Sequence, residues 1–183
     1  MELTELQRAV EAILFAAGEP VSVERMALAT EATPVAVEEA AHGLMDEYAF
    51  ARRGIRLVKL DDSYQMCSNQ AQAQYITKAL ETRKPPKLSA SQLETLTIVA
   101  YYQPTTKAYV EQLRGVDSGY CISALLNKKL IEECGRLNVP GRPFLYRTTP
   151  DFLRTFGMES LQELPEIARV EPENPAQQQA MPL

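Results

Sequence analysis

A single histidine, three cysteines and the absence of any long apolar run remove several function classes from the start. His42 stands alone inside a helical pattern with no marked acid and nucleophile beside it, so a helix-surface or packing role is expected rather than catalysis. Cys67, Cys121 and Cys134 have no metal-type spacing and read as buried or half-buried reduced thiols. No segment approaches the roughly 20 apolar residues of a membrane helix. The N-terminus, MELTELQRAVEAILFAAGEP, is acidic and amphipathic where a secretory signal is basic and then solidly apolar. The chain is therefore expected in the cytoplasm. Glycine-rich phosphate loops, metal-ligand clusters and nucleophile motifs are also missing, so no enzyme activity, metal, cofactor or small-molecule substrate is expected. The glycines at 135 and 141 belong to a hairpin and open no helix.

What remains is a core-forming chain of 183 residues, 45% hydrophobic and 23% charged, long enough for one medium or two small domains. Its charge is uneven. Residues 1–82 hold 7 basic and 13 acidic residues, a net −6; residues 83–157 hold 11 and 6, a net +5; the remainder is −4.

Residues 88–157 organise the chain. Ser89 or Ser91 caps a first helix, and Glu94 three residues after Ser91 suggests a capping box. Leu93, Leu96, Ile98, Val99, Ala100, Tyr101 and Tyr102 make this helix apolar on most sides, so it is expected to be central and buried. Pro104 ends it. Thr105 or Thr106 opens a second helix carrying Tyr109, Val110 and Leu113, and Gly115 stops it. Asp117 or Ser118 opens a third, with Ile122, Leu125 and Leu126 at helical spacing. Leu130 and Ile131 lead into a strand, Asn138–Gly141 turn, and 143–148 return. Phe152, Leu153 and Phe156 mark a closing helix. Helix, helix, helix, hairpin is a helix-turn-helix with a wing.

Residues 1–82 repeat this order. Leu6, Val10, Ile13, Leu14 and Ala17 mark a helix ended by Gly18 and Pro20. Ser22 caps a second, and Thr33-Pro34 starts a third with Val37, Ala41, Leu44 and Tyr48 inward. Strands at Ile55–Leu60 and Tyr64–Cys67 flank the Asp61-Asp62-Ser63 turn. A closing helix is expected from about Gln70 to Glu81, with Tyr75, Ile76, Ala79 and Leu80 inward. The fold class is therefore mainly α with small β-hairpin wings (α+β): two tandem winged-helix domains, at 1–82 and 88–165. A proline-stiffened linker at 83–87 joins them, and an acidic tail at 166–183 is expected to be disordered.

Several short pieces in order carry a resemblance: Gln92-Leu93-Glu94-Thr95-Leu96, Ile98-Val99-Ala100-Tyr101, Gln103-Pro104, Arg114-Gly115-Val116, Gly135-Arg136, Pro140-Gly141-Arg142-Pro143, Leu145-Tyr146, Thr148-Thr149 and Phe152-Leu153. Phe156-Gly157, Ser160-Leu161 and Leu164-Pro165 complete them. Together they resemble the bacterial segregation and condensation protein B (ScpB) family over roughly residues 6–165, sharply in the second half and architecturally in the first. The resemblance implies a homodimer through the first domain. It also implies binding of the kleisin ScpA through the second, an indirect link to the SMC ATPase, and a nucleoid-associated role in chromosome condensation and segregation. Family-matching positions proposed for kleisin contact are Tyr101, Gln103, Pro104, Arg114, Arg142, Pro143 and Tyr146. Arg114, Arg142 and Tyr146 are favoured because arginine and tyrosine dominate interface energies. Leu3, Leu6 and Phe15 are proposed for the dimer. Many relatives carry Ile-Thr-Arg after Gln-Pro, where this chain has Thr105-Thr106-Lys107. Residues 116–120 vary as well, so partner specificity is expected there.

A winged-helix transcriptional regulator is the alternative. Its third helix would read bases with Arg, Lys, Asn or Gln near the N-terminus. This chain offers Gly119, Tyr120, Cys121, Ile122 and Ser123 there, and the matching helix of the first domain carries Glu38, Glu39, Asp46 and Glu47. No specific DNA site is expected.

Overall fold

A computed structural model describes residues 3–80 and 87–166. The chain divides at Pro85–Pro86 into two compact units. Of the expected linker only Lys87 is described. The expected tail lies outside the described residues from position 167 onward.

The first unit runs α1 (Glu5–Ala17), β1 (Val21–Ser22), α2 (Val23–Thr30), α3 (Pro34–Phe50), β2 (Ile55–Leu60), β3 (Ser63–Ser68), a short 3-10 turn and α4 (Ala73–Ala79). Thr4 starts α1 because its hydroxyl accepts the Gln7 N–H while the Gln7 side-chain oxygen accepts the Thr4 N–H, at 3.2 and 2.9 Å. Two otherwise orphaned donors are satisfied reciprocally. Gly18 closes α1 at φ +65°, a conformation that costs glycine little. Thr33 caps α3, with Pro34 in its first turn. Val10, Leu14, Val37, Ala41, Leu44 and Tyr48 fill the core, joined from the sheet by Leu57 and Tyr64.

The second unit runs α5 (Ala90–Tyr102), β4 (Thr105–Thr106), α6 (Lys107–Arg114), α7 (Gly119–Asn127), β5 (Ile131–Arg136), β6 (Phe144–Thr148) and α8 (Pro150–Phe156). Leu96, Val99, Val110, Ile122, Leu125 and Ile131 form its core. Both units are therefore winged helices. Each hairpin is widened to an antiparallel three-stranded sheet, in the orders β1-β3-β2 and β4-β6-β5. The extra strands are two residues long. Ser22 and Thr106 each pair in the sheet and cap the following helix at once.

Two expectations are corrected. The capping box of α5 is formed by Ser89 and Gln92, not Ser91 and Glu94, because the Glu94 carboxylate is committed to Arg114. Ser118 opens α7 as expected, although its hydroxyl makes no capping bond and accepts from Arg114. The first unit's closing helix is the single span Ala73–Ala79, and no side chain on it is buried; Tyr75 is 61% and Leu80 67% exposed. Of its apolar residues only Ile76 is half-buried.

Candidate docking site

The turn between α6 and α7 shows how the second unit's helix-turn-helix is held. Gly115, at φ +71°, lets the chain reverse after α6. Arg114, the last residue of α6, swings inward. Its Nε donates to Glu94 on α5 at 2.9 Å and its Nη1 to the Ser118 hydroxyl at 2.8 Å. The side chain is 4% exposed. Glu111 accepts the Ser118 N–H at 2.9 Å, and Lys107 bridges Glu111 and Asp117 at 3.3 and 3.2 Å. Those ion pairs hold the Asp117 carboxyl below the usual range and the Lys107 amine above it. Arg114 ties three helices together and presents no charge to a partner. Arg114, proposed for kleisin contact, is thus buried within the unit.

Tyr146, also proposed for kleisin contact, is buried as well. It lies on β6 opposite Thr105 and Glu133 and is 8% exposed. Burial, with the nearby Glu133 charge, pushes its phenol above the ordinary value. Gln103 is a latch. Its side-chain nitrogen donates to the Ala100 carbonyl at 3.2 Å, and its oxygen accepts the Thr148 N–H and hydroxyl at 2.8 and 3.1 Å. It thereby fixes the end of α5 and half-buried Pro104 against β6.

Arg142 is exposed; Tyr101 and Pro143 are half-buried, as Gln103 and Pro104 are. Arg142 and Pro143 sit at the wing tip. There the Arg142 carbonyl accepts from Arg136 at 3.0 Å, and the Arg136 guanidinium stacks 3.7 Å from the centre of the Phe144 ring. Tyr101 lies on the outer face of α5, and its hydroxyl donates to the Pro165 carbonyl at 2.7 Å. The seven residues do not form one patch: four are framework, two are at the wing tip and one is on α5.

Tyr101 belongs instead to an apolar groove that sequence reading missed. Leu93, Thr97 and Tyr101 on α5, Phe156 on α8, and Leu164 with Pro165 wall a cavity of about 300 Å³. The signal was present as residues four apart on α5. It was read as core because the whole helix is apolar. Such a groove suits an apolar helix face, each side chain fully buried contributing roughly 1.5–3 kcal/mol.

The helix that would enter a DNA groove is neutral. Tyr120, 81% exposed, and Ser123 face solvent near the start of α7, with Asn127 at its end. The equivalent helix α3 exposes Glu39 and Asp46, and half-buried Glu38 pairs with Lys59 at 3.3 Å. Neither helix offers, near its N-terminus, the Arg, Lys, Asn or Gln that reads base edges. Among the described residues no three His, Cys, Asp or Glu side chains are placed to hold a metal. No described helix is long and apolar enough to cross a membrane.

In the first unit, Leu3 and Leu6, proposed for the dimer, are half-buried against the core. Phe15 is 76% exposed. It rims a second groove of about 250 Å³ with Glu11, Ala12, Tyr48, Ile55 and Met66. The Tyr48 hydroxyl donates to Glu11. Burial, then that bond and the Glu11 charge, raise the Tyr48 phenol well above its ordinary value.

Comparison with known proteins places these surfaces in context. The model of the family described as segregation and condensation complex subunit ScpB matches residues 8–167. A "Segregation and condensation protein B" of Caldanaerobacter subterraneus subsp. tengcongensis is 48% identical, over 86% of this chain and 94% of that protein. The crystal structure of ScpB from Mycobacterium tuberculosis is 32% identical over 86% of this chain and 98% of that chain, with a TM-score of 0.42. A structure described as a dimer of the ScpB N-terminal domain complexed with a ScpA peptide is 28% identical, over 40% of this chain and 91% of that chain, with a TM-score of 0.38.

Proposed function

The chain belongs to the segregation and condensation complex subunit ScpB family, and we propose that it works there as a non-catalytic, dimeric adaptor. In this reading two copies associate through their first domains, bind the kleisin ScpA through their second, and so connect to the SMC ATPase. The protein then acts in the cytoplasm, on the nucleoid, in chromosome condensation and segregation. The observation that carries the reading is the pairing of base-blind helices on both units with an open apolar groove on α5. Such a surface recognises a helix rather than a nucleic acid.

The kleisin segment lays its apolar face along Leu93, Thr97 and Tyr101 and extends toward Arg142 and Pro143 at the wing. Gln103, Pro104, Arg114 and Tyr146 support that surface from beneath. Two such domains on one dimer raise the effective concentration of the second contact, so the pair holds a kleisin more tightly than either alone.

Size exclusion with light scattering tests this. The chain is mixed with the central segment of the kleisin from the same genome, and a discrete complex is expected. Leu93→Glu sets a charge in the groove at a half-exposed position and is expected to weaken the complex at least tenfold, about 1.4 kcal/mol, with the fold intact. If Arg142→Ala alone abolishes binding, the contact moves to the wing. No complex at micromolar concentration, together with a shifted DNA duplex at physiological salt, overturns the adaptor reading.

A further inference from the structure

The two units share an architecture but not the way it is closed. Ser89 and Gln92 begin α5 as Thr4 and Gln7 begin α1, with the same reciprocal bonds, and both helices span 13 residues. In this register Glu11, Ala12 and Phe15 of α1 stand where Leu96, Thr97 and Ala100 stand in α5. In the second unit the closing helix covers part of that face. Phe152 and Leu153 of α8 are buried, and Phe152 and Phe156 line with Leu96, Thr97 and Ala100 the groove that remains beside it. In the first unit the same face of α1 lies open as the groove of Glu11, Ala12, Phe15, Tyr48, Ile55 and Met66. The corresponding closing helix, α4, buries nothing and holds Tyr75 and Leu80 out to solvent.

We propose that two copies of this chain exchange α4, so that each closing helix covers the α1 groove of its partner. This rests on the dimer reading above and names the element that makes the contact. The second unit shows what kind of element covers this face: a short amphipathic helix following the wing. The exposed apolar side of α4 is such an element, with no side chain fully buried in its own unit. Lys78, three residues after Tyr75, also brings a cation to a groove whose charged group is the Glu11 carboxylate. Reciprocal exchange satisfies both copies with one contact used twice. That is the form a two-fold dimer takes and the form of domain swapping.

The test replaces Phe15 with the photo-reactive aromatic p-benzoylphenylalanine in the full chain, mixes light and 15N-labelled copies, and maps cross-links by mass spectrometry. Links between a light and a heavy chain, joining position 15 to the segment 73–80, are the expected result. A dimer whose links from position 15 fall elsewhere, or join 73–80 only within one chain, overturns the exchange and leaves the dimer reading standing. A monomer by light scattering at micromolar concentration overturns both. As a second readout, Tyr75→Ala is expected to raise the dimer dissociation constant at least tenfold while the thermal midpoint of the monomer is unchanged. Tyr75 is 61% exposed within its own unit, so with the monomer's thermal midpoint unchanged, loss of association does not report unfolding. An unchanged dissociation constant overturns the exchange.

Discussion

The closing helices α4 and α8 follow similar wings and carry similar apolar residues, yet Phe152 and Leu153 are buried and Tyr75 and Leu80 are not. The difference originates on the helices they face. α5 offers Leu96, Thr97 and Ala100, beside which Phe152 is buried and Phe156 rims the groove. α1 offers Glu11, Ala12 and Phe15, a charge and a bulky ring at the corresponding places. One duplicated fold thereby yields a unit whose closing helix is docked, with a groove left beside it, and a unit whose closing helix has no fully buried side chain. An element's periodicity states that it has a buried side, while the partner's side-chain sizes decide where that side goes.

The comparison is broken most strongly at the closing helices. Phe152→Ala is expected to cost the second unit about 3–5 kcal/mol, the range for emptying a buried phenylalanine site. Tyr75→Ala, its counterpart in the first unit, is expected to change that unit's own stability by no more than about 0.5 kcal/mol. Urea unfolding of each variant, at a concentration where the chain is monomeric, checks both. The internal locks come next. Arg114→Ala is expected to cost the second unit about 2–3 kcal/mol, because Glu94 and Ser118 lose a buried charged donor. Tyr48→Phe leaves the half-buried Glu11 carboxylate without its donor and is expected to cost the first unit about 1–2 kcal/mol. The smallest effect sharpens the likeness rather than the contrast. Thr4→Ala and Ser89→Ala remove equivalent caps, and each is expected to cost about 1 kcal/mol in its own unit by the same denaturation measurement.

Much of the fold was legible because its signals are local. Thr33-Pro34, Ser22 and the stripe Val37, Ala41, Leu44 and Tyr48 mark helix starts and faces within a few residues, and each stands as expected. The two-residue strands β1 and β4 were not legible. They have no alternation to read and exist only through pairing with β3 and β6. The candidate site was legible in part. Arginine and tyrosine pointed to interfaces by residue type, but Arg114 meets Glu94, 20 residues earlier in the chain, and Tyr146 meets β4. Both are contacts between segments distant in sequence, and they turned expected surface into framework. The α5 groove was hidden for the opposite reason. A helix apolar all round reads as buried all round, and only the placement of α8 and the turn after it shows which side stays open.

The open first unit is tested most directly by sedimentation or light scattering of the intact chain over a dilution series, beside Tyr75→Ala. The wild-type protein is expected at twice the chain mass of 20.4 kDa at micromolar concentration, and the variant at the single-chain mass under the same conditions. A wild-type chain that stays monomeric, or a variant that dimerises as tightly as wild type, contradicts it.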